Sequence, residues 1–222
     1  MNTSVKNLNS NIESLSYIWL WAGIGLIFAI VGILLLLGAD EQEGLLKEGG
    51  LFETLTVFGY LACIVLICGF WPRQRIIAQW YFSILIILFM LRELDYDKLH
   101  FTVGLLNARQ YTGGLVPLPE LILSILIVIA ILTVLTLIVT KEARSFINGL
   151  AAYRLSSLAI MISLMLVFVT KALDGLSRKL STFLDLEITQ SFELLALTFE
   201  EIGEVGIPIM FAIAIMSSKS NS

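Results

Sequence analysis

Three carboxylates lie inside one apolar run. The stretch from Phe192 to Met216, FELLALTFEEIGEVGIPIMFAIAIM, carries Glu200, Glu201 and Glu204, and a run of that length suffices to cross a hydrocarbon core, which takes roughly 20 residues of helix. A charged side chain at the bilayer centre costs about 2.5–3.5 kcal/mol on insertion scales, so each of these acids needs a partner, a proton or a ligand. Glu193, Glu200 and Glu204 are spaced seven and four apart and share one helical face, which should look into a bundle, while Glu201 points about 100° away from it.

A second set of chemistry-bearing residues follows a shorter apolar run. In LRELDYDKLH, Glu93, Asp97 and His100 fall on one face if the helix continues, and they are the candidate ligands of a divalent cation. His100 is the chain's one histidine, whereas carboxylate di-metal bundles take a Glu-x-x-His pair from each of two helices. An interfacial histidine with one backbone hydrogen bond is the plainer account of it. An EF-hand reading of Asp95-x-Asp97 fails, because no glycine follows at the sixth loop position and no glutamate closes a twelve-residue loop. Cys63 and Cys68, five apart in one apolar run, face different ways and read as apolar fillers.

Three accounts of the acids stand side by side. Arg92, Lys171, Arg178 or Lys179 neutralise them and only fix helix packing. Alternatively, the acids bind or relay a cation or proton, the default role of an intramembrane carboxylate. In the third account Glu93, Asp97 and His100 hold a catalytic metal. Gly203, Gly206 and Pro208 beside the acids allow close helix contact and a kink.

The elements that must position these groups are membrane helices. Of 222 residues 58% are hydrophobic and only 14% charged, outside the range of a soluble domain. The net charge of −4 and the lack of any basic run speak against a nucleic-acid partner. The expected fold is an all-α polytopic membrane protein forming a single domain. Its bundle has about six transmembrane helices, over 17–38, 54–70, 76–92, 121–139, 155–173 and 194–216. The fourth of these, uncharged, faces lipid or the bundle exterior. Segment 101–119, apolar but broken by Gly104, Gly113, Gly114, Pro117 and Pro119, reads as an interfacial or re-entrant lid.

Lys and Arg divide evenly, seven in the odd loops and seven in the even loops with both tails. The even loops are nevertheless short and basic with almost no acid, the cytoplasmic signature. Both termini are therefore expected in the cytoplasm. The opposite face gathers Glu48 and Glu53, the Arg92 to His100 stretch with Asp95 and Asp97, Asp174 and Arg178, and the glutamates of the last span into an acidic vestibule.

EGGLFETLTVFGYLA and LRELDYDK resemble two segments of a loose set of small bacterial polytopic membrane proteins with no assigned activity. The Gly-Glu-Glu and Trp-Gly-Gln stretch that follows the third span in that set is missing here. The resemblance implies that Glu48, Glu53, Arg92, Glu93 and Asp95 belong to one shared site, and it supplies no reaction.

The expectation is a multi-pass protein of a bacterial inner membrane that answers to a cation or proton, transporter-like or channel-like. Its ion or proton site would be Glu200 and Glu204 with Glu193 and Glu201, and Arg92 or Arg178 would be the counter-charge. The alternatives are a non-catalytic membrane subunit of a defence, immunity or envelope-assembly system, acting with a protein partner or as a homo-oligomer, and a divalent-metal enzyme on a membrane substrate. No complete catalytic set is visible, which weighs against an enzyme.

Overall fold

The computed structural model describes residues 3–47, 49–112, 114, 116–176, 179–181 and 189–218. Among them it is all-helical, with ten helices: α1 Thr3–Leu35, α2 Ala39–Leu46, α3 Leu51–Phe70, α4 Arg73–Ala78, α5 Trp80–Glu93, α6 Tyr96–His100, α7 Arg109–Thr112, α8 Leu118–Ala151, α9 Leu155–Leu173 and α10 Gln190–Ser217. Four segments are long and apolar enough to cross a membrane: Tyr17–Leu35, Ala39–Phe70, Leu118–Ala151 and Leu155–Leu173. The 28-residue α10 has the length, but Glu200, Glu201 and Glu204 lie in every apolar window of it. The 14 residues of α5 give only about 21 Å of helix.

The central element is α10. It packs most extensively on α9, then on α3 and α1, and α2 lies across it. From Ile202 to Ile215 it is buried nearly all round, through Ile202, Gly203, Val205, Gly206, Ile207, Pro208, Met210, Ile213 and Ala214. Small residues make this possible, because a helix can sit among several neighbours only where backbones approach closely. A Cβ on Gly203 would lie 2.5 Å from Thr170 Cγ2, and one on Gly59 of α3 would lie 2.8 Å from Pro208 Cγ.

Three clusters fill the core around α10. Tyr60, Cys63, Ile67, Ile86 and Ile207 join α3, α5 and α10; Leu20, Ala159, Met210 and Ile213 join α1, α9 and α10; and Val31, Leu46, Phe52 and Ile202 close the far end. The α8 helix lies outside, with Ile122, Leu126, Ile129, Leu132 and Val139 exposed. Its bare face accords with the exterior placement expected of the fourth span.

Three sequence expectations need correction. The third span is two helices: Gln79, at φ −114 and ψ 32, separates α4 from α5. The aromatic run Trp80, Tyr81 and Phe82 propagates helix poorly. The Gln79 side chain fastens the break, accepting from Arg75 Nε at 2.8 Å and donating to Glu142 Oε1 at 3.1 Å.

The chain does not continue helically past Glu93 either. The Leu94 N–H reaches back to Met90 and Arg92, and Asp95 turns left-handed at φ 46, a conformation Asp tolerates better than most residues. The fourth helix runs on to Ala151, so Lys141 and Arg144 stand on helix and not on a loop. The acidic first loop holds a helix of its own, α2, docked by a 2.9 Å hydrogen bond from buried Gln42 Nε2 to Thr198 Oγ1 of α10.

The segment expected as a lid is ordered by Glu120 at the start of α8. That carboxylate accepts from Thr102 N at 2.7 Å and from Gln110 Nε2 at 2.9 Å. Buried Gln110 also donates to Ser124 Oγ at 3.0 Å. At the other end of the bundle Arg75 closes the C-terminus of α10, donating to Ser218 O at 3.2 Å while its guanidinium lies 4.0 Å from the Trp71 ring centroid. A cation there suits the negative pole of the helix.

Candidate functional site

The end of α5 meets the middle of α10. Arg92 and Glu93 are neighbours in the last turn of α5, so their side chains leave the helix about 100° apart. Arg92 Nη2 reaches across to Glu204 Oε1 at 2.5 Å, with 13% of the Glu204 side chain and 41% of Arg92 exposed. Glu93 turns inward to 7% exposure, and its Oε1 has no hydrogen-bond partner among the described residues. Glu204 is the charge that acts most strongly on the Glu93 carboxyl, followed by Arg92 and Glu201. Two carboxyls therefore share one guanidinium.

The third wall comes from α3. Tyr60 is wholly buried, its ring stacked on Phe89 of α5 at 5.8 Å, and its hydroxyl has no partner among the described residues. The charges acting most strongly on that hydroxyl are Glu93, then Arg92 and Glu204. One turn further along α3, Cys63 Sγ donates to Pro208 O at 3.2 Å, fixing the register of α3 on α10.

A second branch opens at the bundle rim. Glu200, half-buried one turn before Glu204, faces the charges of Asp174, Glu204, Lys171 and Arg92. Asp174, which follows α9, accepts from Lys171 Nζ at 2.5 Å, the pair being largely exposed, and Lys179 Nζ donates to the Asp174 carbonyl. Glu201, beside Glu200, also lines a cleft of about 570 Å³ with Asp40, Glu43, Lys47 and Leu197.

The hydrogen bond from Lys171 holds the Asp174 carboxyl below the usual aspartate range. A depressed folded pKa contributes stability that is present above the ordinary aspartate range and lost as pH falls through the folded value. Asp174→Asn should therefore flatten part of the acid limb of a melting-temperature profile, by less than about 1 kcal/mol because the pair is screened by solvent. Thermal melts of both proteins from pH 7 down to pH 3 check this.

Of the residues singled out in the sequence, the structure brings together Arg92, Glu93 and Glu204, with Glu200 and Asp174 beside them. Glu53 is spent on its own turn, accepting from Gly49 N at 2.6 Å. Glu193 is exposed in the first turn of α10. The break at Leu94 and Asp95 parts Glu93 from Asp97 and His100, so these three do not assemble as ligands. His100 stacks on Tyr96 at 3.9 Å and donates from Nδ1 to the Tyr96 carbonyl. No group of three or more His, Cys, Asp or Glu placed to hold a metal occurs among the described residues. Glu48 and Arg178 lie outside the described residues. Tyr60 was missed; its signal was a phenol in the apolar part of α3, between Gly59 and Cys63 and past the hydroxyls of Thr54 and Thr56.

No family model, no curated protein and no solved structure matches the chain.

Proposed function

We propose that this chain is a polytopic membrane protein that takes up and releases one proton at the Glu93 and Glu204 pair beside Arg92, as a proton-responsive transporter-like or channel-like component. The observation that carries the reading is the count of charges where the end of α5 meets α10. With both carboxyls ionised the group sums to −1, and with one proton bound it is neutral. A site poised between those two states exchanges a proton at small electrostatic cost, whereas a one-to-one pair would hold its charges fixed. The guanidinium disfavours a metal cation in the same place, which is why the reading is a proton.

The membrane setting follows from the apolar exterior, which includes Trp19, Trp21, Phe28, Phe58 and Phe168 and exceeds what a soluble monomer leaves bare. We take α1, α3, α4 with α5, α8, α9 and α10 as six crossings of a bacterial inner membrane, α10 being shielded from lipid by its neighbours. The end carrying Arg73, Arg75, Lys141, Arg144 and Arg154 is then cytoplasmic.

Infrared difference spectra between two pH values test the site. The wild-type protein in lipid should show a carboxyl C=O band rising on acidification, and Glu93→Gln should remove it while the helical circular dichroism is kept. If the band survives unchanged in both Glu93→Gln and Glu204→Gln, the protonating group is elsewhere and the reading is wrong.

A further inference from the structure

Two buried side-chain oxygens have no hydrogen-bond partner among the described residues, Tyr60 Oη and Glu93 Oε1, and both belong to the same three-helix layer. Buried polar atoms are rarely left unpaired, and each costs about 1–3 kcal/mol if it is. A third acceptor stands in that layer. Pro208 has no N–H, so the Glu204 carbonyl lacks the helical donor four residues on, and Pro208 packs against Gly59, the residue before Tyr60.

We propose that an ordered water is held between α3, α5 and α10 by the Tyr60 hydroxyl, the Glu93 carboxyl and the Glu204 carbonyl, and that Tyr60 positions it for proton transfer to Glu93. The valences close. The hydroxyl donates to the water, which donates one hydrogen to Glu93 Oε1 and the other to the carbonyl, the three bonds typical of an internal water. Stacking on Phe89 holds the Tyr60 ring still, so its hydroxyl addresses one place. The groups facing Glu93 are Tyr60 from α3, Arg92 on its own helix, and Glu201 and Glu204 from α10. Protonation of Glu93 turns its Oε1 from an acceptor into a possible donor, so the water must reorient with the proton. This transfer role rests on the proton reading above; the water itself does not.

The test is infrared spectroscopy of the protein in lipid, in ordinary water and in H₂¹⁸O. An O–H stretching band that shifts with the isotope should be present in the wild type at a single pH and absent in Tyr60→Phe, which keeps the ring. After a pH jump, the carboxyl band of Tyr60→Phe should keep its amplitude and rise more slowly, by roughly 10²-fold, the lower end of what a positioned proton-transfer group contributes. Cys68→Ala, an exposed position two turns further along α3, should change neither. An isotope-sensitive band that persists in Tyr60→Phe overturns the site, as does a wild-type melting temperature that rises with sodium at constant ionic strength, which would make the occupant a cation. A wild-type water band without any carboxyl band supports the water and overturns the proton reading alone. If Tyr60→Phe does not fold, Glu93→Gln is the second variant: its band should shift in frequency, and an unmoved band overturns the assignment.

Discussion

Gly203→Ala should lower the melting temperature of the purified protein, and adding Thr170→Ser should restore it. Two effects of opposite sign meet at this position. Alanine is the better helix former by about 0.5–1 kcal/mol, which taken alone would stabilise α10. Its Cβ, however, would stand 2.5 Å from Thr170 Cγ2, and overpacking of that kind costs about 1–3 kcal/mol. Thr170 cannot turn aside cheaply, because it is β-branched and its Oγ1 donates to Val167 O at 3.3 Å.

The steric cost should therefore win by about 1–2 kcal/mol. At about 2–4 °C per kcal/mol for a chain of this size, the melt should fall by several degrees. Serine at 170 keeps the hydroxyl and removes the methyl that clashes, so the double variant should melt near the wild type. Gly206→Ala is the comparison: the nearest atoms there, 2.9 Å away, are the Cδ1 ends of Ile27 and Leu166, which move easily, and its loss should be smaller. Equal melts for Gly203→Ala and the wild type would show that α9 and α10 are not held at this distance. The seam matters for the site because α9 ends at the Lys171 and Asp174 pair that Glu200 faces.

Helix type and place along the chain were legible in the sequence where apolar runs are long. The fifth expected span, 155–173, coincides with α9, and the last, 194–216, lies within α10. The all-α class was equally plain, since the long apolar runs far outweigh the one short stretch, 184–189, that alternates like a strand. What periodicity did not show was where a helix stops without a glycine or proline to stop it. The breaks at Gln79 and at Asp95 rest on side-chain hydrogen bonds and on the left-handed tolerance of a single aspartate, both weak local signals.

That second break decided the fate of the metal set, because it separates Glu93 from Asp97 and His100. The candidate site was legible only in part. Four cations stood near the acids in sequence, and pattern alone does not say that Arg92 reaches Glu204 while Lys171 turns to Asp174. Glu93 read as a vestibule residue and is instead the most buried acid of the cluster, since the end of α5 lies against α10 and not at a rim. Tyr60 carries no charge and repeats with nothing, so only the packing of α3 on α5 reveals it.

Removing Arg92 should damage the protein far more than removing its ion-pair partner. In a simple pair the two losses would be alike, because either leaves one buried charge alone. Here Arg92→Gln leaves Glu93 and Glu204 facing one another with no cation between them. Breaking a buried pair costs about 3–5 kcal/mol; with 41% of Arg92 exposed, water recovers part of that, and a loss on the order of 2–3 kcal/mol is expected. Glu204→Gln instead leaves Arg92 with Glu93, one charge of each sign, and keeps an oxygen where the hydrogen bond was, so it should cost about 1 kcal/mol.

Arg92→Gln should also be rescued by acid, its deficit shrinking as pH falls and protons replace the missing cation, and adding Glu93→Gln should recover part of the loss at neutral pH. A double-mutant cycle on Arg92, Glu93 and Glu204, followed by thermal melting in one detergent at pH 5 and pH 8, reads all of these couplings. Equal losses for Arg92→Gln and Glu204→Gln, with no recovery from Glu93→Gln, would mean that the guanidinium serves one carboxylate only. The charge count on which proton exchange rests would then be gone, and the cluster would be a packing device between α5 and α10.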